Sequence, residues 1–424
     1  MKSEHDTPGL RAFAPALFLL IVCFVINYVD RGNVSVAAPL IRKEFGLSDS
    51  QLGILFATFF VAYTAGQFFV GWLVDRADAN RILTFGFFLW TMATAALGVA
   101  HSFAMLLAMR LMLGFGESAA LPAGTKLLAK NLVEHHRGFA SGALMSALRC
   151  GNAVGTLGAG LLMARYGWRP VFIWVGLISL LWLPAWQRWK PRDGRVVVHA
   201  EAAGPGPGFG EILGQRSFWG TVSGHFCSNY LFYFMATWLP TYLVTARHLS
   251  MSEMARTAGL YYFVDAASAI STGWLQDFAI RRGRSVTFVR KAAMAIGFST
   301  AAIGVTGCAL AGEHSYLGWL LAAGWGCGMT GPGLLTFPQT MAGRGAVGKW
   351  YGWQNGFANF AGVIGPSLTG FVLQGTGSFL APFGITAALC IVGVVAWVFV
   401  VGRVEQVKWG AKRQGVMEAA RADV

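Results

Sequence analysis

Gly71-Trp72-Leu73-Val74-Asp75 returns 202 residues later as Gly273-Trp274-Leu275-Gln276-Asp277. Working outward, a shift of 210 brings Gly114 onto Gly324, Gly116 onto Gly326, Pro122 onto Pro332, Gly142 onto Gly352, Gly155 onto Gly365 and Gly160 onto Gly370. Glycine makes up 55 of 424 residues, so one coincidence means little; a run of them in one register means a duplication. Both copies of the pentapeptide close a long apolar run, so the repeated unit is a bundle of apolar helices.

Only 12% of the chain is charged and 55% is hydrophobic, against about 25% charged in an ordinary soluble domain. Nearly charge-free runs of about 18 or more residues read as membrane helices. Twelve are predicted, at 14–40, 50–74, 81–100, 103–129, 138–164, 169–189, 217–245, 254–278, 288–311, 315–341, 347–374 and 378–402. The expected fold is all-α and integral to the membrane. It has twelve transmembrane helices in two pseudo-symmetric six-helix bundles, 1–189 and 217–402. A basic, Gly/Pro-rich linker at 190–216 and a tail at 403–424 complete the chain. Small residues at Gly151, Gly155, Thr156 and Gly160 permit close helix approach.

The net charge of +14 concerns topology rather than nucleic acid. With the N-terminus inside, 23 of the 33 Lys and Arg fall on the cytoplasmic side, six outside and four within spans (Arg31, Arg110, Lys126, Arg149). That asymmetry predicts a multi-pass inner (plasma) membrane protein with both termini cytoplasmic. The polar N-terminus lacks a small-residue cleavage site, so the first run is expected to be a retained helix. All six cysteines fall in apolar spans with no CxxC pair, so neither metal nor disulfide is implied, and buried thiols are expected. Gly343-x4-Gly348-Lys349 imitates a nucleotide loop, but Trp350 replaces the Ser/Thr that would hold magnesium. His101, His225, His248 and His314 share no ligand spacing and read as loop or helix-end residues.

Charged groups inside apolar spans cost about 2.5–3.5 kcal/mol each or more, so they mark cavities, pairs or function. Asp30 and Arg31 stand side by side in the first span, and Arg110 and Glu117 share the fourth. Asn27, Arg31 and Ser35 recur every four residues on one helix face, with Tyr28 adjacent. Arg110 and Glu117 lie two turns apart on one face, about 10.5 Å. Arginine suits a carboxylate ligand because its planar fork binds both oxygens. Acids suit proton carriage because burial and a nearby Arg move a carboxyl pKa in opposite directions. A carboxylate beside a guanidinium, twice at mid-membrane, is equipment for moving a proton with an organic anion.

The chain resembles the major facilitator superfamily, and within it the anion:cation symporter branch of sugar-acid and hexuronate permeases and sialin-like carriers. The resemblance covers roughly 12–402. It is carried by Asn27-Tyr-Val-Asp-Arg-Gly-Asn-Val-Ser35, Gly71-Trp-Leu-Val-Asp-Arg76, Arg110-x6-Glu117, Gly167-Trp-Arg-Pro-Val-Phe172, Trp238-Leu-Pro-Thr-Tyr-Leu243 and Gly273-Trp-Leu-Gln-Asp277 with Arg281-Arg-Gly-Arg284. It implies that Arg31 contacts the substrate carboxylate, that Asp30 and Glu117 carry protons, and that Arg110 modulates Glu117. It implies a cavity tyrosine at Tyr63 and a hydroxyl-binding asparagine at Asn359. Tyr28 is a further substrate candidate, as are the polar patch Ser228, Asn229, Tyr230 and Tyr233, and Gln354 and Asn355. Tyr63 and Asn359 also have a structural reading, as a core aromatic and as a helix-bridging amide.

Arg149 departs from the branch, whose members usually carry a small or neutral residue there. Facing the cavity, it would be a second cationic anchor favouring a dicarboxylate or larger anion; nearer the cytoplasm, it would snorkel or pair with an acid. Asp265 matches an aspartate of hexuronate-type members and reads as a structural acceptor or a third titratable site. Asp75, Arg76, Arg81 and Asp277 mark the cytoplasmic gate, although Ala77-Asp78-Ala79-Asn80 and Phe278 depart from the usual gate pattern.

The expected function is proton-coupled symport of a small organic anion, such as a sugar acid, by alternating access. No cofactor is expected beyond the coupling proton. The expected partners are the anion, the proton and the bilayer, with no nucleic acid and the chain a monomer. An exporter driven by proton antiport would not need Arg31 beside Asp30, and a non-transporting sensor on the same fold is the other alternative. An enzyme would need a nucleophile–base pair or metal cluster, and none is visible.

Overall fold

The computed structural model describes residues 10–132, 134–191, 207–312, 315–343, 346–407 and 409. Among them there is no strand. A backbone in hydrocarbon must satisfy its own polar groups, and in one segment only a helix does so. The first half comprises α1 (Leu10–Phe45), α2 (Asp49–Arg76), α3 (Ala79–Leu97), α4 (Phe103–Glu117), α5 (Ala120–Asn131), α6 (Glu134–Tyr166), α7 (Trp168–Ser179) and α8 (Trp182–Trp189). After a short α9 (Phe209–Leu213) come α10 (Arg216–Thr245), α11 (Met251–Arg281), α12 (Val286–Leu310), α13 (Tyr316–Ala342), α14 (Val347–Thr376) and α15 (Leu380–Val395), which runs into a π-turn at Ala396–Val400.

Two helix pairs, α4–α5 and α7–α8, each make one traverse interrupted by a two-residue break, Phe103–Asn131 and Trp168–Trp189. Counted so, the traverses are the twelve expected from the sequence. Seven are long and apolar enough to cross a membrane on composition alone. Polar insertions dilute several of the others: Arg149 and Asn152 in α6, His225 and Asn229 in α10, Asp265 in α11. Outward-facing Phe85, Ile178, Leu181, Phe288 and Leu310 are each more than 60% exposed, an apolar belt suited to lipid rather than water.

The duplication is visible in the local structure. Ser48 and Gln51 form a capping box at the start of α2, and their 202-shift counterparts Ser250 and Glu253 form another at the start of α11. A side-chain cap of this kind is worth about 1 kcal/mol. The 210 shift carries α6 onto α14, the two ending together at Tyr166 and Thr376.

The halves meet along α2 against α14, α6 against α11, and α1 against α10. The first two contacts are related by the duplication. A Cβ on Gly53 would come 2.7 Å from the Pro366 carbonyl oxygen and 3.2 Å from the Gly370 Cα. The same shifts take that pair to Ala255 and Gly160, which also touch. Ser50 N–H donates to Gln374 Oε1 at 3.1 Å across the same end. Toward the other end Gly142 and its counterpart Gly352 have open space where a Cβ would sit, while Phe68 of α2 still meets Trp353 of α14 with ring centroids 6.3 Å apart. The tightest backbone contact between the halves therefore lies at the end where α2 begins, the sealed end.

Of the 190–216 linker, residues 192–206 lie outside the described part, as do 410–424 of the tail. The linker's last residues dock on the second half: Ile212 is buried beside Phe218 and Trp350, and Lys349 Nζ donates to the Pro207 carbonyl.

Candidate functional site

A cavity of about 390 Å³ lies between the halves, beyond the sealed end. Its wall includes Tyr28, Arg31, Tyr63, Arg149, Ser228, Asn229, Tyr233, Asn355 and Asn359, nine of the eleven residues named as substrate candidates. A second cavity of about 20 Å³ lies against Tyr28, Arg31, Arg110, Asn152 and Tyr233. It has room for roughly one water.

Arg31 heads the large cavity. Its Nε and one terminal nitrogen donate to Glu117 Oε2 at 3.2 and 3.1 Å, joining α1 to α4. The side chains are 10% and 0% exposed, respectively. The guanidinium lies over the rings of Tyr63 (4.5 Å), Tyr28 (4.6 Å) and Phe59 (4.9 Å), and its second terminal nitrogen donates to the Tyr28 hydroxyl at 3.4 Å. Aromatic faces hold a cation in place without neutralising it. The arrangement leaves Arg31 anchored on one side by an acid and open to the cavity on the other.

The expected pairing of Asp30 with Arg31 is corrected. Successive residues on a helix point about 100° apart, so Asp30 turns away from the cavity, beside Trp90 and Thr94 of α3. It is 1% exposed, with the Trp90 indole and the Thr94 hydroxyl as its polar neighbours. Arg110 lies two turns from Glu117, near enough to act on it through charge, and its Nε and Nη2 donate to the carbonyls of Leu55 and Phe56 at 3.4 Å. Phe59 has Arg31 at 4.9 Å and Arg110 at 4.7 Å, so one ring serves two guanidiniums.

The other two intramembrane cations are also paired. Lys126 donates to the Val74 carbonyl near the C-terminal end of α2, where the helix dipole favours positive charge. Arg149 of α6 forms an ion pair with Asp265 of α11, across the two halves. Both readings of Arg149 therefore hold in part: it faces the cavity and it pairs with an acid.

The second half contributes two polar ladders. His225, Asn229 and Tyr233 recur every four residues on α10, and Tyr351, Asn355 and Asn359 do so on α14; all six line the cavity. Tyr233 OH donates to Asn359 Oδ1 at 2.7 Å, and Asn359 Nδ2 donates to the Asn355 carbonyl at 2.9 Å. Gln354 is corrected: one position off its ladder, it is fully buried and bonds His225 Nδ1 at 3.1 Å and the Leu334 carbonyl at 3.3 Å. Tyr230 likewise turns away and packs near Gly365. His225 is mid-helix and buried, not at a helix end as expected. Cys150, expected buried, is exposed at the cavity wall. Sequence reasoning passed over Phe59, His225, Tyr351 and Cys150; the four-residue spacing would have found the second and third.

The expected gate residues whose side chains are described find partners within their own halves. Arg81 is 88% exposed and reaches Asp78 of its own half at 3.8 Å. Arg76 donates to the Trp72 carbonyl and lies over the Trp72 ring at 4.5 Å. Asp277 lies one turn before the end of α11, near Arg290 of its own half. The Asp75 side chain lies outside the described part. Among the described residues no His, Cys, Asp and Glu cluster could hold a metal.

The chain matches the family model of the Major Facilitator Superfamily over residues 20–289 and 283–419. It is 30% identical over 404 residues to a probable sulfoacetate transporter of Cupriavidus necator, covering 91% of this chain and 93% of that one. It is 28% identical to the hexuronate transporter of Bacillus subtilis (90% and 93% covered) and 27% identical to a probable galactarate/D-glucarate transporter of the same organism (92% and 92%). Among solved structures, an inward-facing bacterial homologue of the lysosomal transporter Spinster superposes with a TM-score of 0.78 at 16% identity, covering 91% of this chain and 96% of that one. Duplicated six-helix halves, a polar cavity between them and a family match along nearly the whole chain lead to one conclusion: this protein belongs to the Major Facilitator Superfamily of membrane transporters and is not an enzyme.

Proposed function

We propose that the protein is a proton-coupled symporter that takes up a small organic anion by alternating access, the halves rocking about the central cavity. The observation that carries this reading is the Arg31–Glu117 pair at the head of the cavity. A carboxylate ligand and the Glu117 carboxylate compete for one guanidinium. Protonating Glu117 removes the competitor and frees Arg31 for the ligand, so proton and anion load together. When the cavity opens to the other side, loss of the proton returns Glu117 to Arg31 and expels the anion. Differential proton affinity of the two states is what lets a proton bias them.

Asp30 is a second candidate proton carrier, acting through α1 and α3 rather than through Arg31. The relatives named for sulfoacetate, hexuronate and galactarate/glucarate support an acid as cargo. The hydroxyl and amide ladder of Asn229, Tyr233, Asn355 and Asn359 suits a polyhydroxylated one. A volume of 390 Å³ fits a small ligand, since such pockets span about 300–1,000 Å³. With the orientation read from loop charges, the sealed end faces outside and this is the inward-open state of a monomeric inner-membrane carrier. The arginine paired at the site argues against a generic proton-driven exporter. The test is uptake of sugar acids into proteoliposomes under an imposed pH gradient. Acceleration by protons is expected, and acceleration by sodium alone would overturn the reading.

A further inference from the structure

The cavity has a second arginine, and the duplication explains its position. The 210 shift that maps α6 onto α14 takes Arg149 to Asn359, and the 202 shift that maps α2 onto α11 takes Tyr63 to Asp265. Tyr63 and Asn359 both line the cavity. Arg149 and Asp265 therefore occupy the mirrored station at the same depth, with charges where the other side has neutral polar groups.

Arg149 is one-quarter exposed, lines the cavity and lies against Gly331 of α13, where any side chain would strike its guanidinium. Asp265 behind it is 3% exposed, with one oxygen on Arg149 and the Cys327 thiol beside its carboxyl. A bare cation here would be costly. Asp265 is the counter-ion that holds Arg149 in the empty protein, as Glu117 holds Arg31. Each arginine thus keeps a protein acid on one side and a face toward the same cavity on the other. A ligand with one acid group leaves one guanidinium with its protein partner only. A ligand with an acid group at each end engages both, and the neutral ladders between them meet its hydroxyls.

Resting on the symport reading above, we propose that the cavity is built for a dianion. Arg31 takes one acid group and Arg149 the other, and Asp265 yields its place on Arg149 to the ligand. Arg149 is then the specificity-determining residue that separates diacids from monoacids.

The experiment is equilibrium binding to purified protein by isothermal titration, with matched probes: glucarate against gluconate, sulfoacetate against acetate, and succinate against butyrate. Wild type is expected to prefer the diacid in at least one pair by about tenfold or more, the scale of a desolvated charge pair. Arg149→Gln with Asp265→Asn removes both charges and keeps the balance, so it protects the fold where Arg149→Gln alone would strand Asp265. In the double variant the diacid-to-monoacid ratio should collapse toward one. A ratio that survives the double substitution, or a wild type that binds monoacids as tightly as diacids, overturns the dianion assignment and leaves the anion reading standing. Binding of no acid in any pair overturns both.

Discussion

Glu117→Gln separates binding from coupling. Gln keeps the shape of the protonated acid and an acceptor for Arg31, but it can release no proton. In the structure Glu117 receives two hydrogen bonds from Arg31 through one oxygen, at 3.1 and 3.2 Å, and has the Asn27 amide beside it. Removing one partner of a buried ion pair costs about 3–5 kcal/mol when the remaining charge is stranded. Arg31 is not stranded here: three aromatic faces lie within 4.9 Å and its open side meets the cavity. The cost should therefore be well below that range, and the variant should fold. The competing negative charge is gone, so an anionic ligand should bind at least as tightly as to wild type. Coupling should fail. One proton moving down a gradient of about one pH unit releases about 1.4 kcal/mol, enough for roughly tenfold accumulation. Wild type should reach up to that level per coupled proton, whereas Glu117→Gln should only equilibrate. The assay pairs counterflow, which needs no net proton movement, with gradient-driven uptake in the same proteoliposomes. Intact counterflow with no accumulation is the expected result. Full accumulation by Glu117→Gln would refute the competition argument and move the coupling proton to Asp30 or Asp265.

Arg31→Lys keeps the charge but loses the planar fork, and Arg31→Ala leaves Glu117 unpaired; ligand affinity by titration should fall in both, in Arg31→Ala by about 2 kcal/mol or more. Gly53→Val should destabilise the sealed end by about 1–3 kcal/mol, because its Cβ would meet the Pro366 carbonyl at 2.7 Å; accessibility of a cysteine placed at the buried Leu373 should rise. Cys150 should be the cysteine that reacts with a maleimide in the folded protein, since it lines the cavity while the other five are buried, and ligand should slow the reaction. Gln354→Leu should leave ligand affinity within about twofold yet lower the melting temperature, because it removes a buried contact to His225.

Much of the architecture was legible because a bilayer restricts the options. The Gly53–Gly370 and Ala255–Gly160 contacts follow from the same two shifts that align the chain with itself. The cavity was also largely legible, since a polar side chain in an apolar span must face something polar, and nine of eleven substrate candidates face the cavity. Gln354 failed that rule in an instructive way: its polar partner is His225, inside the same half. The residues expected at the gate, Arg76, Arg81 and Asp277, hold partners within their own halves, which no spacing in the sequence indicates.

Pairing was what the sequence could not decide. Arg31 and Asp30 are neighbours in the chain, yet the helix turns them about 100° apart and Arg31 finds Glu117, 86 residues away. Arg149 and Asp265 are 116 residues apart and in different halves, and nothing in either local sequence points to the other. Helices, their number and their duplication were set by local physics, because each segment must satisfy its own backbone before it packs. Which charge neutralises which depends on how the helices stand against one another, so only the tertiary structure could assign the two arginine–acid pairs.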